Sequence, residues 1–286
     1  MSIKRIIKSI LSSIQPKRIV TASFTFKNDD ACMADKIVLV TGGGSGFGLA
    51  IAKRFVQCGA KVIITGRNEH KLKSAVEHLG KNASYLVWDL CDVSIAKTRM
   101  NEANAIYGPI NVAINNAGIW TSTKWNDIKE AEWDKILDTN LKGLFFICQA
   151  EAESMNSNVI VNKIINITSI EGVRGGFGPY WASKWGANGI TRGMAKELIK
   201  NNIIVNAIAP GMAITDINPN LPKDGNLNLP YNLSGRYVTV EEIAETACFL
   251  ASDAANSIVG QQPHTQGLHR RQSIGNRRLL HCLQCL

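Results

Sequence analysis

The chain of 286 residues has no run approaching the ~20 consecutive apolar residues of a membrane-spanning helix, so its body is expected to be soluble. Its eight prolines are few, and its 24 glycines follow no three-residue period, which excludes a collagen-like fibre. Charged residues make up only 19% against 45% hydrophobic, which excludes a wholly disordered chain or a long coiled coil. A chain of this length and composition buries one large core, with or without tails.

Acid is scarce at both ends. Residues 1–34 carry Lys4, Arg5, Lys8, Lys17, Arg18 and Lys27 against Asp29 and Asp30, and residues 260–286 carry Arg270, Arg271, Arg277 and Arg278 against none. Each end therefore holds +4 of the formal +9, and the body is nearly neutral. A neutral body argues against a phosphate-tracking surface, so nucleic acid is not an expected partner. The seven cysteines are an odd number, and Cys58, Cys91, Cys148 and Cys248 sit in apolar contexts. Buried thiols in a reducing, cytoplasmic compartment are the expectation.

From Lys36 onward, short β-branched runs alternate with longer segments of period near 3.6. The runs 36–41, 61–65, 84–88, 111–114, 163–168 and 203–207 read as buried parallel strands, and 49–58, 70–79 and 133–155 as helices. This alternation predicts a three-layer α/β fold, a doubly wound parallel sheet with right-handed crossovers and a ligand site beyond the strands' carboxyl ends. Residues 216–237 break the pattern with Pro219, Pro222 and Pro230. A segment of that length reads as a lid, with Leu221, Leu227, Leu229, Tyr231 and Leu233 available to pack on a ligand or on the body.

The first strand ends in Thr41-Gly42-Gly43-Gly44-Ser45-Gly46-Phe47-Gly48 and runs into an apolar helix. Glycines allow close backbone approach there, and a helix N-terminus offers N–H groups to a pyrophosphate. The strict G-x-G-x-x-G spacing is absent. The further motifs are Asn115-Asn116-Ala117-Gly118, Asn140, Ser169, Tyr180-x-x-x-Lys184, and Pro210-Gly211 with Thr215, in order and each on the expected element. With the glycine turn they resemble the short-chain dehydrogenase/reductase family over about residues 35–260. The similarity leans towards 3-oxoacyl carrier-protein reductases and glucose dehydrogenases. It implies a Rossmann fold that transfers a hydride between NAD(P)(H) and an alcohol/carbonyl pair.

The resemblance places Thr41, Gly42, Ser45, Gly46, Phe47 and Gly48 around the cofactor phosphates. It places Asp89 with Leu90 at the adenine, with Asp92 a nearby competitor. The 26 residues from Asp89 to Asn115 suit one crossover helix and favour Asp89. Asn116, Ala117 and Gly118 would line the adenosine ribose, and Pro210, Gly211, Ala213 and Thr215 would close the far end. Cofactor choice is read after the second strand, where NAD-preferring dinucleotide folds place an acid. Here the run is Thr65-Gly66-Arg67-Asn68, and the Arg67 guanidinium suits a 2′-phosphate, so NADP is expected over NAD.

Tyr180 and Lys184, four apart on a helix, share one face. A phenol of ordinary pKa near ~10 needs help to exchange protons at neutral pH, and a nearby ammonium favours the phenolate. The resemblance makes Tyr180 the general acid for ketone reduction and the base for alcohol oxidation, with Lys184 also binding the nicotinamide ribose. Ser169, ending the fifth strand, would hydrogen-bond the substrate carbonyl oxygen. Thr168 is its alternative, and strand alternation lets only one of the two face the site. Ser169 and Tyr180 are eleven residues apart, fewer than is usual in the family, a gap that Arg174–Gly178 could close with a reshaped substrate pocket. Asn140 matches the family's fourth catalytic position, where it anchors a water that relays protons to the lysine. No metal is required of such a quartet.

The expected organisation is a basic extension at 1–34, an NAD(P)-binding catalytic domain at 35–260 and an atypical basic tail at 261–286. Ile3, Ile6, Ile7, Ile10, Leu11 and Ile14 follow helical spacing beside basic residues, so residues 1–20 could touch a membrane surface. A disordered tail, or a start at Met33, is the plainer reading. After Gly260 the family continues into a seventh strand, which is in doubt here because Gln261–Arg271 contains Pro263 and lacks a strand pattern. A frameshifted tail would explain the change. The His281-Cys282-x-x-Cys285 end reads as unstructured tail, not a metal site. A homodimer or homotetramer acting on a small alcohol or carbonyl compound is expected, and the rival is a non-catalytic dinucleotide-binding or membrane-associated scaffold with a damaged C-terminus.

Overall fold

A computed structural model describes residues 19–21, 32–155, 161–215, 225–230, 232 and 234–265. Six parallel strands, β1 (Ile37–Thr41), β2 (Lys61–Gly66), β3 (Ala83–Val87), β4 (Val112–Asn115), β5 (Asn162–Ile167) and β6 (Ile203–Ile208), form one sheet in the order 3-2-1-4-5-6. The β-branched runs become strands because helices cover both faces of such a sheet, so that apolar side chains on either side of the strand are buried. Each strand lies within one or two residues of its expected span.

On one side α1 (Gly46–Gln57), α2 (Glu69–Leu79) and α7 (Val240–Ala251) flank the sheet, whose Val38, Val40, Val62, Ile64 and Ile114 face a core that includes Phe55, Leu72 and Ile243. On the other side α3 (Ala96–Tyr107), α4 (Glu130–Leu137), α5 (Gly143–Ser154) and α6 (Pro179–Leu198) flank it, and Leu39, Ile63, Ala113 and Ile164 face a core that includes Met100 and Ile147. Leu39 and its neighbours Val38 and Val40 thus point to opposite cores, as the two-residue strand period requires.

The single helix expected over 133–155 is interrupted. Residues Asp138–Lys142 form a π-helical turn between α4 and α5. The wider turn directs Asn140 inward, where its side chain bonds both the N–H and the C=O of Ile119 at 2.8 Å. Gly143 follows because a Cβ there would stand 2.8 Å from the Leu90 carbonyl oxygen. Such π-turns commonly mark functional positions.

No seventh strand forms among the described residues, as the sequence leads one to expect, yet the chain end still pairs with the sheet. Residues 260–265 run along the β6 edge of the sheet: Gly260 N–H donates to Val205 O, Ala207 N–H to Gln261 O, Ala209 N–H to Pro263 O, and Thr265 N–H to Ala209 O, at 2.9 to 3.3 Å. Pro263 takes part through its carbonyl and has no N–H to add to the ladder. Asn206 and Gln262 side chains secure the segment through Ile258 O, Gln261 N–H, Thr168 Oγ1 and Asn188 Oδ1. Backbone pairing needs no apolar pattern, so residues without one occupy the edge. Residues 1–18 of the amphipathic stretch, 216–224 of the lid and the tail from 266 lie outside the described residues. Of the lid, Leu229 is buried, and residues 228 and 236 pair antiparallel. Among the described residues no helix is long and apolar enough to cross a membrane.

A buried polar cluster lies beneath the site. Asn115 Nδ2 donates to the fully buried Glu151 at 2.9 Å and to Asn166 Oδ1 at 3.1 Å, and Asn166 Nδ2 donates to Thr191 at 2.9 Å. Burial pushes the Glu151 carboxyl up to about 8, while Asn115 and Cys148 pull it back. A carboxyl raised above its unfolded value keeps its proton in the fold, so stability is highest below the ordinary carboxylate pKa. It falls as pH climbs towards 8, by up to about 1.4 kcal/mol per unit. Glu151→Gln is expected to flatten this fall, so that its midpoint of urea unfolding drops less between pH 5 and pH 8 than that of the wild type. Parallel pH profiles for the two chains would contradict a protonated Glu151.

Candidate active site

The strand order reverses between β1 and β4, and the loops leaving their carboxyl ends are laced together. Thr41 Oγ1 accepts the N–H groups of Asn116 and Ala117 at 3.0 Å each, and Asn116 Nδ2 donates to the carbonyls of Thr41 and Gly42 at 3.0 and 3.2 Å. Beside these bonds a cavity of about 710 Å³ runs along the carboxyl edge of the sheet. It lies at the topological switch point where open α/β sheets bind ligands.

The glycine turn forms one wall. Gly42 and Gly46 have φ of +66° and +55°, and a Cβ on Gly48 would stand 2.3 Å from the Gly42 carbonyl oxygen. Glycine at these places lets the turn close and bring the start of α1 to the cavity, where Ser45, Gly46 and Phe47 line it. The backbone at this helix start has the shape and polarity to hold a pyrophosphate. At one end, after β2, stand Arg67 and Lys71, both lining the cavity. The Asn68 side chain caps α2 by accepting the Lys71 N–H at 3.0 Å, which sets Lys71 in the first turn beside Arg67. Sequence reasoning missed Lys71, although the Asn68 cap three residues before it was a usable signal.

The floor is formed by Ala117 and Gly118 after β4 and by Ser169 after β5. Tyr180 and Lys184 face it from α6, and Pro210, Gly211, Ala213 and Thr215 follow β6. Four expected cofactor residues stand elsewhere: Thr41 and Gly48 brace the turn from behind, and Asp89 and Leu90 do not line the cavity. Asp89 is exposed and accepts the Cys91 N–H at 3.1 Å, while Leu90 is buried against Gly143. That bond uses one carboxylate oxygen, and β3 ends at Val87, two residues before it.

Asn140 is also set behind the wall, not on it. Its amide is occupied by Ile119 and by Ser183 Oγ at 3.2 Å, so it holds the 118–119 turn next to Lys184. Thr168 turns away, donating to Ile208 O at 3.1 Å, which leaves Ser169 to face Tyr180. That bond to β6 engages the Thr168 hydroxyl and favours Ser169, the residue the sequence reading prefers to Thr168.

The Lys184 amine is almost fully buried. It donates to Ile167 O at 3.0 Å and lies 5.7 Å from the centre of the Tyr180 ring. Burial pushes Lys184 down to about 8 and Tyr180 up to about 12. The Ser169 hydroxyl pulls the phenol back down and Glu171 adds to its rise. In the protein alone, removal of water thus acts on the phenol in the direction opposite to the ammonium-favoured phenolate of the sequence expectation. A phenol and a serine hydroxyl thus line the cavity side by side. Glu171 and Arg174, paired at 3.1 Å, and Trp181, which donates to Glu171 at 2.7 Å, form the outer rim.

Residues 36–226 match the family described as short chain dehydrogenase. The chain is 37% identical over 242 residues to the 3-oxoacyl-[acyl-carrier-protein] reductase FabG of Chlamydia muridarum, covering 81% of this chain and 96% of that protein. It is 34% identical over 231 residues to gluconate 5-dehydrogenase of Gluconobacter oxydans, covering 78% and 90%. Among solved structures it is similar to a single-substitution variant of actinorhodin polyketide ketoreductase with NADPH. That likeness has a TM-score of 0.72 and 28% identity, over 80% of this chain and 95% of the other.

Proposed function

The chain belongs to the short-chain dehydrogenase/reductase family, enzymes acting on hydroxyl and carbonyl groups with NAD(P), and from that premise we propose that it reduces a ketone with NADPH, using Ser169, Tyr180 and Lys184. The observation that carries this reading is the Tyr180 phenol facing the Ser169 hydroxyl beside a buried Lys184, at one end of a cavity whose other end is cationic. The non-catalytic scaffold has nothing comparable in its favour, since the three side chains converge and the chain end is paired to the sheet.

When bound, the nicotinamide supplies the hydride that the carbonyl carbon takes up. Ser169 donates a hydrogen bond to the carbonyl oxygen as negative charge grows there. Tyr180 gives its phenolic proton to the same oxygen, so the products are the alcohol and the oxidised cofactor. Lys184 offers its remaining N–H groups to the ribose hydroxyls and steadies the phenolate left on Tyr180, which is reprotonated from solvent. Asn140 is a positioning residue that acts through Ile119 and Ser183. In the oxidative direction the same groups work in reverse.

NADP is preferred to NAD on this reading because Arg67 and Lys71 stand together where a 2′-phosphate would lie. The first substrate class to offer is a 3-oxoacyl thioester, with sugar acids second, following the two curated relatives. Self-association as a dimer or tetramer would draw on the exposed Phe145, Phe146 and Trp185, and the five free cysteines among the described residues suit a reducing cytoplasm.

The test is the loss of reduced-nicotinamide absorbance with each substrate class, with NADPH and with NADH. Turnover favouring NADPH is the expected result, and Arg67→Asp should lower the NADPH-to-NADH ratio of kcat/KM by about 10-fold or more, as loss of a charged phosphate contact implies. An unchanged ratio would remove Arg67 from the cofactor assignment. A folded chain that binds neither nucleotide would overturn the function itself.

A further inference from the structure

Away from the cavity, three cysteines distant in sequence converge at the far end of α1. Cys58 caps that helix, Cys248 lies on α7, and Cys32 is held beside them because the Met33 N–H donates to the Cys58 carbonyl at 2.9 Å. Their sulfurs all lie within 4.8 Å of one another, with Cys58 to Cys248 at 3.5 Å and Cys32 to Cys248 at 3.9 Å. Cys58 and Cys248 are buried and Cys32 is exposed.

The triangle has the dimensions of a coordination site. Three sulfurs each about 2.3 Å from one ion stand about 4 Å apart, close to the two measured edges. Every donor is sulfur, since neither imidazole nor carboxylate belongs to the cluster. The setting is apolar, with Ile51, Ala52, Ala244 and Leu250 in the same core. Soft thiolate ligands in such a setting select thiophilic d10 ions. Alongside stands the buried Arg54, paired with Glu245 at 2.7 Å and electrostatically coupled to Cys58 and Cys248. Its charge would offset part of the negative charge that develops as thiols lose their protons.

We propose that Cys32, Cys58 and Cys248 form a three-thiolate site for a single thiophilic d10 cation. The complement of three sulfurs suits Cu(I), which is satisfied by low coordination. Zn(II) would complete four ligands with a water on the open Cys32 side. Binding replaces three S–H bonds by three metal–sulfur bonds and releases three protons to solvent, with no change of oxidation state, and so weakens as pH falls. The ion would join the end of α1, the helix whose start faces the cofactor cavity, to α7 and to the segment before β1.

The experiment is an anaerobic titration of the reduced full-length chain with Cu(I), and in parallel with Zn(II), followed by desalting and metal analysis and by thermal unfolding. Cys32→Ser removes an exposed ligand without opening the core. Cys282→Ser/Cys285→Ser removes the other cysteine pair able to capture metal. The expected result is one retained equivalent and a raised Tm in the wild type and in the Cys282/Cys285 variant, with both lost in Cys32→Ser. Retention of Cu(I) alone, or of Zn(II) as well, identifies the ion. No retained metal, or retention and Tm unchanged by Cys32→Ser, overturns the site, as does binding that disappears only with Cys282 and Cys285. These readouts do not depend on catalytic turnover.

Discussion

Tyr180→Phe is expected to lower kcat by about 10³-fold, within the range spanned by general acid–base groups, while nucleotide binding changes little. The phenolic oxygen is the only part removed. The ring remains on α6 edge-on to Trp181, with ring centres 6.0 Å apart, so the cavity wall stays in place. The loss must then come from the proton that Tyr180 gives, because a serine hydroxyl is a far weaker acid than a phenol and Ser169 therefore supplies a hydrogen bond rather than a proton. Cofactor binding followed by fluorescence separates the two effects. If turnover survived within about tenfold, another acid would have to serve the carbonyl oxygen.

Lys184→Met is expected to abolish activity and stabilise the fold at once. The amine, 6% exposed, is pushed down to about 8 by burial from its ordinary 10.5. For a base with a lowered folded pKa, stability rises as pH climbs from about 8 to 10.5. Below that window the fold carries the cost of a buried ammonium, about 3 kcal/mol at about 1.4 kcal/mol per unit. Methionine removes that cost but leaves the Ile167 carbonyl without its donor, a loss of about 1–2 kcal/mol. A net gain of about 1–2 kcal/mol near neutral pH should therefore accompany a fall of about 100-fold or more in turnover and a raised KM for the nucleotide. Denaturant unfolding beside steady-state kinetics checks both halves. A variant that is less stable and equally active would contradict both the burial cost and the role assigned to Lys184. Active sites that hold desolvated groups show this opposition of stability and function.

Much of the site was legible because its parts are local. Glycines at 42, 46 and 48 mark a turn that other residues would make only with strain, and Tyr180 and Lys184 announce their shared face by spacing alone. Asn140 illustrates the limit. Its place in a helix was readable, but a π-turn depends on the Ile119 backbone that captures its side chain, and no periodicity reports that. Asp89 illustrates another: its spacing after β3 is readable, but the bond its carboxylate makes to the Cys91 N–H is not. Lys71 and Arg67 become cavity neighbours through the strand–helix turn between them, at which the Asn68 cap is the one hint in the sequence.

The alternation of strands and helices, the glycine cradle and the identity of the groups that can exchange a proton are all written in the order of the residues. These follow from backbone periods of two and 3.6 and from side-chain chemistry, both of which act over a few residues. The tertiary structure decided which distant residues meet: Thr41 with Asn116 and Ala117, Gln262 with Thr168, and Cys32 with Cys58 and Cys248. It also decided how far burial moves Tyr180 and Lys184 from their ordinary pKa values. Both depend on strand order and on the exclusion of water, and those exist only once the sheet has been assembled and covered on its two faces.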